Sequence, residues 1–467
     1  MFLRIAAPVL AGCLLGASSL RAQNELGNFS TAARGGVATT FVTDFQAIGV
    51  NPANLGRQDN ARVAFTIAEF GVGVGSQSLT RTQLRKFIEN SDETLTLAQK
   101  QEMARAFTSD NVLNLNADAT PIAFSVVLPL VGSFAVSSRQ RVTTHLGLNK
   151  NTAELLWLGK DAPIYPANFN PATAPLISEV LDGTSVQLAA YNEYNIAYGR
   201  QVLRLPSFSL SVGAGYRYVQ GVGVVDVRAS GGKLEAYSAL SPQFNVDYGS
   251  VASNPSFNLR QDADKLIQPV GRGHGYDLGV AAEVGKKLRL GASVTDIGTM
   301  RWEGNLLTAN DQRLKRLRSS GANSYEFLSE LENIFASGTD SLFQYTPAQE
   351  RNASLPTKLR LGAGLRVGTR LEVGADVTMP LNEVAGNLPN AFYGVALDVK
   401  PVSWIRLSTG LTTGAGYGLG LPVGFAIATK IYELGIGTRD LRGLLSDNKP
   451  YASVAVGTLR FKFGTAR

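Results

Sequence analysis

The segment Thr357–Met379 alternates in a way that few folds accommodate. Thr357, Leu359, Leu361, Ala363, Leu365 and Val367 fall on one side of a period-two pattern, and Lys358, Arg360, Gly362, Gly364, Arg366 and Gly368 on the other. After a tight turn at Gly368-Thr369-Arg370, Leu371, Val373, Ala375, Val377 and Met379 alternate with Glu372, Gly374, Asp376 and Thr378. Successive side chains of a strand point to opposite faces, so this is a two-stranded hairpin. One face is apolar. The other carries glycines and charges of both signs. Alternating segments of roughly ten residues, apolar outside and polar inside, are the signature of a transmembrane β-barrel.

Composition supports that reading. Charged residues make up 17% of the 467 residues, below the roughly 25% usual in soluble proteins. No apolar run after the N-terminus reaches the ~20 residues a membrane helix requires, so insertion into lipid must be by strands in a closed barrel. Forty-nine glycines suit crowded inner faces and tight turns. A soluble all-β protein is the structural rival, but it leaves the scarcity of charge on the apolar faces unexplained.

Residues 1–22 read as a signal peptide, with Arg4 in the basic n-region, Ile5 to Ala17 as the apolar core, and a cut after Ala22 that leaves Gln23 first. Leu10-Ala11-Gly12-Cys13 also matches a lipoprotein cleavage box, and that alternative stays open. Cys13 is the only cysteine. A chain cut after Ala22 therefore has no disulfide, no thiolate metal site and no thiol nucleophile. The two histidines, His145 and His274, are too few and too far apart in sequence for a catalytic metal, and no cofactor is expected. The formal net charge is +7, of which Arg4 and Arg21 leave with the signal, so +5 remains. That charge is mild and dispersed and forms no nucleic-acid stripe.

Along the chain, residues 23–60 lack clear alternation. A first strand runs from Arg62 to about Ser78. The stretch Leu79 to Asp118 breaks the period: Leu84, Phe87 and Ile88 have helical spacing, and Thr96 with Gln99 forms a capping box for a second helix. The pair would lie outside the bilayer as a lid or as packing alone. Pro121–Leu128 and Ser133–Leu148 form the next hairpin. Leu155-Leu156-Trp157 suggests a short strand within a proline-bearing loop, Asn149–Gly183. Thr184–Val202 and Phe208–Tyr218 are tyrosine-rich strands suited to an aromatic girdle. Ser241–Val270 reads as loop with one uncertain strand. Strands follow from Tyr276 to Val284 and from Leu288 to Val294. A second insertion, Glu303 to Pro356, carries an apolar helical stripe of Phe327, Leu328, Leu331, Ile334 and Phe335. The rest is strand: Phe392–Val399, Trp404–Leu411, Gly418–Thr429, Tyr432–Arg439 and Tyr451–Phe463. The total is about fourteen, with twelve to sixteen compatible, and bacterial barrels favour even numbers.

The segment before the first strand contains Ala33-Arg34-Gly35-Gly36-Val37-Ala38, Thr43-Asp44-Phe45-Gln46-Ala47 and Val50-Asn51-Pro52-Ala53-Asn54-Leu55. This order after a signal peptide resembles the FadL-type outer-membrane transporters of hydrophobic compounds, and most closely their PorV-like and uncharacterised branches. The resemblance implies a fourteen-stranded barrel with residues 23–60 folded inside it as a hatch, Asn51, Pro52 and Ala53 forming part of that hatch. It further implies a small hydrophobic ligand in the lumen that leaves sideways through a kink in the wall. Phe41, Phe45, Ile48 and Leu55 are the candidate ligand-binding residues, with packing of the hatch against the wall as the alternative role. Val294-Thr295-Asp296-Ile297-Gly298, with Trp302 beyond, resembles a recurring strand-end motif of the same family.

Three functions remain to weigh. The first is transport, with outer-membrane lipid around the barrel and a hydrophobic small molecule within. The second is the role the PorV-like relatives imply: binding secretion-system proteins through the insertions near 79–118 and 303–356. The third is a membrane enzyme, which needs a nucleophile within reach of a base. His145 lies at a strand end beside Thr143 and Thr144, and His274 sits in the glycine-rich stretch Gly271–Gly275, read as a turn. Neither has a partner motif, so no enzyme is expected. Arg360, Arg366, Glu372 and Asp376 read as cross-strand ion pairs inside a wet lumen.

Overall fold

A computed structural model describes residues 27–89, 94–107, 112–261, 268–285, 287–324, 342–388, 390–415, 418–447 and 451–464. Residues 1–22, expected as a signal peptide, with Cys13, and the stripe from Phe327 to Phe335 lie outside these.

Fourteen antiparallel strands close on themselves into a barrel. In ring order they are β1 (Val63–Ser76), β2 (Val112–Leu128), β3 (Gly132–Gly147), β4 (Ser185–Leu205), β5 (Phe208–Ser230), β7 (Gly271–Val284), β8 (Leu288–Trp302), β12 (Lys358–Val367), β13 (Leu371–Pro380), β14 (Phe392–Val399), β15 (Ile405–Gly414), β16 (Val423–Ala428), β17 (Tyr432–Thr438) and β18 (Tyr451–Phe463). The ring shuts where Val63 pairs with Phe463 and Gly75 with Tyr451. Four further strands, β6 (Lys233–Leu240), β9 (Leu306–Ala309), β10 (Tyr345–Pro347) and β11 (Arg351–Ser354), pair with the far ends of β5 and β8 or with one another.

The six short turns that join neighbouring strands of the ring, from 129–131 to 429–431, lie on the rim where β1 begins and β18 ends. Every long connection, including 77–111 and 303–357, lies on the other. In bacterial barrels short turns face the periplasm and long loops the exterior.

The wall is apolar outside and charged inside. Leu361 and Leu365 are 41% and 45% exposed, while Lys358 and Arg360, on the opposite phase of the same strand, are 1% and 0% exposed. A soluble sheet packed on a core has the reverse arrangement. No described helix is long and apolar enough to cross a membrane. Placing arginine at Leu361, in the middle of this lipid-facing band, is expected to cost about 2–4 kcal/mol. Urea unfolding in lipid vesicles measures the loss, and the substitution should be nearly silent if Leu361 does not face lipid.

Aromatic side chains mark the upper edge of the band. Tyr194 on β4 stacks on Tyr218 on β5 with centroids 6.5 Å apart, and Tyr216 packs against Tyr276 on β7 at 5.6 Å.

Several expectations are corrected. Leu155-Leu156-Trp157 is not a strand. It lies in the helix Lys150–Leu158, where Asn149 Oδ1 accepts the Thr152 N–H at 2.8 Å. The cap outweighs the short apolar run, and all three side chains are fully buried. The insertion expected near 79–118 does hold helices, Arg81–Glu89 and Leu97–Ala106, the second with the Thr96/Gln99 capping box. It is shorter than expected, because Leu113 to Asp118 already alternate and belong to β2. No strand forms among the described residues of 241–270. The extra strand is β6, and β5 runs on to Ser230. His274 is within β7, not in a turn. The Val294–Gly298 motif does not end a strand either: β8 continues to Trp302 across a bulge in its pairing with β7, and Asp296 there has φ of +60°.

Above the barrel, the helices, β6 and the upper parts of β4 and β5 share one apolar core centred on Leu155, Leu156 and Trp157.

Candidate functional site

The described part of the N-terminal segment, from Gly27 to Asn60, lies inside the barrel. It is built from short capped pieces. Asn28 Oδ1 accepts from Ser30 and Thr31 at the start of the helix Phe29–Ala32. Asn51 Oδ1 accepts the Ala53 N–H at 3.1 Å and starts the 3-10 helix Pro52–Gly56, with proline in the first turn where no donor is needed. Asn60 Nδ2 ties the far end by donating to the carbonyls of Asn54, Leu55 and Arg57. Val42, Phe45, Val50 and Leu55 pack with Ala64, Ala123, Ala135 and Ala197 of the wall.

The inner wall receives this segment on glycines. Gly199, Gly213 and Gly279 stand in one row across β4, β5 and β7, each paired in register with the next. A Cβ on Gly213 would lie 2.3 Å from the Pro52 carbonyl carbon, and one on Gly279 would lie 2.1 Å from Asn51 Oδ1. The Asn-Pro-Ala turn therefore rests on backbone. Asn51 Nδ2 also donates to the Val280 carbonyl at 3.1 Å. The pattern continues around the lumen: Phe41 lies over Gly374, Val37 over Gly394, Ala33 over Gly424 and Gly437, and Phe29 over Gly435 and Gly457. From Phe29 to Ala53 the chain follows the wall from β17 and β18 round to β4.

Charges pin it at intervals. Arg34 Nη1 meets Asp398 Oδ2 at 3.0 Å. Asp376 Oδ2 accepts the backbone N–H groups of Ala38 and Thr39, each at 2.7 Å. Arg460 Nη2 meets Asp44 Oδ2 at 2.6 Å and, through Nη1, Glu433 at 3.2 Å; Glu433 also holds Arg406 and Lys462. At the short-turn rim Asp59 accepts from Arg57 at 2.9 Å, Arg289 at 2.5 Å and Arg366 at 2.8 Å. Burial alone would raise the Asp59 pKa, but Arg57, Arg289 and Arg366 outweigh it and hold the carboxyl well below its ordinary range. A depressed pKa contributes stability above the unfolded value of about 4 and loses it progressively as pH falls below that. Asp59→Asn should therefore loosen the segment most at pH 7. Its difference from wild type in hydrogen exchange over residues 37–60 should narrow towards pH 3, and a gap that does not change with pH would remove the clamp from the account.

On the other half of the lumen, β2 to β8 carry a second buried network. Arg139 Nε donates to Asp118 Oδ1 at 2.8 Å and Arg141 meets Glu193 at 2.5 Å. Arg217 joins Glu193 and Asp277, both at 3.2 Å, with Asp296. The bulge at Asp296 turns that carboxylate inward. Beside it, a cavity of about 50 Å³ is lined by Phe45, Ile48, Thr120, Ala123, Arg139 and Arg217 among others. Larger spaces lie on either side of this segment. Towards the long loops, about 340 Å³ is bordered by Val112, Phe392, Leu419, Arg439 and Tyr451. Towards the short turns, about 450 Å³ is bordered by Gln58, Arg204 and Phe208. Arg439 also donates to the Gly35 carbonyl at 3.1 Å, so the upper space abuts the segment.

A family profile described as a family of unknown function (DUF5723) matches residues 52–433. The chain belongs to this family. No curated protein matches it. Among solved structures it is similar to the Ralstonia pickettii toluene transporter TbuX, at 11% identity and a TM-score of 0.43, over 95% of this chain and 99% of that one. It is also similar to the P. putida toluene transporter TodX, at 10% and 0.40 over 96% and 100%, and to a Pseudomonas aeruginosa FadL homologue, at 12% and 0.42 over 96% and 100%. The fold of the DUF5723 chain rests on its closed ring of strands.

In this DUF5723 protein the residues singled out in the sequence are distributed as follows. Asn51, Pro52 and Ala53 form the turn seated on the glycine row. Phe45 and Ile48 border the small central cavity. Leu55 packs beside Gly199, and Phe41 sits over Gly374 with the Arg34 guanidinium 4.5 Å from its ring. Of the expected lumen pairs, Arg366 does meet Glu372, at 3.4 Å, but Asp376 serves the backbone of Ala38 and Thr39 instead. His145 is buried, its Nδ1 2.8 Å from Asn114 Oδ1, and His274 lies outward, its Nδ1 2.7 Å from the Tyr216 hydroxyl. Asp44, Asp59, Asp398, Glu433 and Arg460 were missed. Their only sequence signal is a lone charge on the inward phase of a strand or within the turn-rich N-terminal segment.

Proposed function

We propose that this protein passes small hydrophobic compounds across the outer membrane, with residues 23–60 as a plug that shifts to let them by. What supports the reading is the way the lumen is closed. The segment packs a few apolar side chains on wall alanines and otherwise rests on glycine backbone and ion pairs, and water or a neighbouring polar group can replace the polar contacts. Cavities of about 340 and 450 Å³ flank it. Such volumes suit compact ligands. In this reading the long-loop rim faces outward, residues 1–22 direct export, and Phe41, Phe45, Ile48 and Leu55 give the cargo its apolar contacts.

The pairing of β2 with β3 slips between Ala119 and Ile122, next to Pro121, whose nitrogen cannot donate to the ladder. Thr120, at that slip, lines the same cavity as Phe45 and Ile48, and we place a sideways exit there.

The test is native mass spectrometry with lipid extraction on protein purified from outer membranes in mild detergent. A co-purifying hydrophobe that is lost on deleting residues 24–55 is the expected result. An empty barrel that carries a stoichiometric protein partner would overturn it and favour the secretion-associated role of the PorV-like relatives.

A further inference from the structure

The outer surface of β5, β7 and β8 changes character in a fixed order from mid-bilayer towards the long loops. Val280 and Leu278 are apolar and exposed. Tyr276 and Tyr216 follow, then His274 and Tyr218, whose rings lie 5.7 Å apart. One step further, Arg272 on β7 and Arg301 on β8 face each other as direct cross-strand partners, and both point outward. Cross-strand neighbours of like charge are destabilising unless something lies between or beside them.

Arg301 is 58% exposed on its side chain and shares Glu350 at 2.6 Å and, more distantly, Glu303 at 3.8 Å. Glu303 is itself engaged by Arg260 at 3.2 Å. Three guanidiniums thus face two carboxylates. Arg272 forms no hydrogen bond or ion pair among the described residues, so the uncompensated charge is its own.

Two arginines held about 5 Å apart by strand pairing, four residues above the end of an apolar band, stand at the level of lipid headgroups. Guanidiniums present paired donors that match the oxygens of a phosphate. The aromatic ring of Tyr218 and the imidazole of His274 lie beneath them, where the sugar or glycerol of a headgroup would rest.

We propose that Arg272 and Arg301 form a site for the phosphorylated headgroup of an outer-leaflet lipid, fixing the β5–β8 face of the barrel in the membrane. The site is on the outer wall, separate from the lumen and its plug. It rests on the placement of the long-loop rim outward but not on the transport reading.

The test uses the full-length barrel in mild detergent, offered diphosphorylated lipid A or the same lipid with its phosphates removed, and read by native mass spectrometry. The wild type should retain the phosphorylated lipid in preference to the other. Arg272→Gln should weaken retention about tenfold, the size of one lost charge-assisted hydrogen bond, and Arg272→Gln with Arg301→Gln should weaken it further. Arg272→Lys should keep most of it. Inorganic phosphate in large excess should not displace the lipid. Equal retention of the two lipids, or retention unchanged in Arg272→Gln, overturns the site. Displacement by inorganic phosphate makes it a site for free anions and overturns the lipid assignment. Both substitutions are on an exposed face, and heat-modifiable gel mobility establishes that the variant barrels are folded.

Discussion

Replacing Gly213 by valine is expected to expel the Asn51–Ala53 turn and turn a closed barrel into a conducting one. A Cβ at this position meets the Pro52 carbonyl carbon at 2.3 Å, the Ala53 nitrogen at 2.4 Å and the Pro52 oxygen at 2.5 Å. All three are backbone atoms, so no rotamer change relieves the clash. The strand tolerates valine well, since β-branched residues suit a pleated wall. The strain therefore falls on the plug. Overpacking of this kind costs about 1–3 kcal/mol or more, and the turn itself is tied to the wall by the single bond from Asn51 Nδ2 to the Val280 carbonyl, with Ser293 holding the adjoining Val50 carbonyl. Planar-bilayer recording is the measurement: wild type should stay shut, and Gly213→Val should show frequent or sustained openings. Ala214→Val, on the outward phase of the same strand, is the control and should behave as wild type. A Gly213→Val barrel as silent as wild type, with residues 37–60 still protected from protease, would mean that the glycine row does not seat the plug.

The second large effect is expected at Arg460. Its guanidinium is 2% exposed and joins Asp44 of the plug to Glu433 of the wall. Arg460→Met fills similar space but removes the charge. Glu433 keeps Arg406 and Lys462. The Asp44 carboxylate keeps short-range contacts with Thr43 and Gln46, and a buried carboxylate without a cation is costly. The expected loss is about 3–5 kcal/mol, the range for breaking one partner out of a buried pair. It should be read as a lower midpoint in urea unfolding from lipid vesicles. Asp44→Asn combined with Arg460→Met should recover part of the loss, because the double variant leaves no orphaned charge at Asp44. Additive losses would show that the two residues do not act as a pair.

How much of this was legible beforehand differs from place to place. The hairpin at Lys358–Pro380 was read almost residue for residue, because a strand displays its environment in every second position and nothing distant is needed to interpret it. The fourteen-strand count emerged the same way. The helix at Lys150–Leu158 is not legible in the sequence, since three consecutive apolar residues fit either period and the deciding feature is the Asn149 cap. The Val294–Gly298 motif reads as a strand end in the sequence because a bulge interrupts alternation just as a terminus does. Only the partner strand distinguishes them: β7 continues alongside β8 past the bulge to pair Gly271 with Trp302. In the N-terminal segment, the Asn-Pro-Ala turn could be picked out from its residue types. What it rests on could not.

The sequence by itself determined the class of object: strands of membrane length, charges on one phase and aliphatics on the other. These follow from local periodicity and from what lipid requires of backbone. The tertiary structure alone decided which glycines are seats and which charges are anchors. Asp376 and the Ala38 nitrogen it holds are 338 residues apart, and Asp44 and Arg460 are 416 apart. A glycine carries no record of what will approach it, and a lone inward charge does not name its partner. Both acquire meaning only once closure of the ring brings residues 27–60 against strands from every part of the chain.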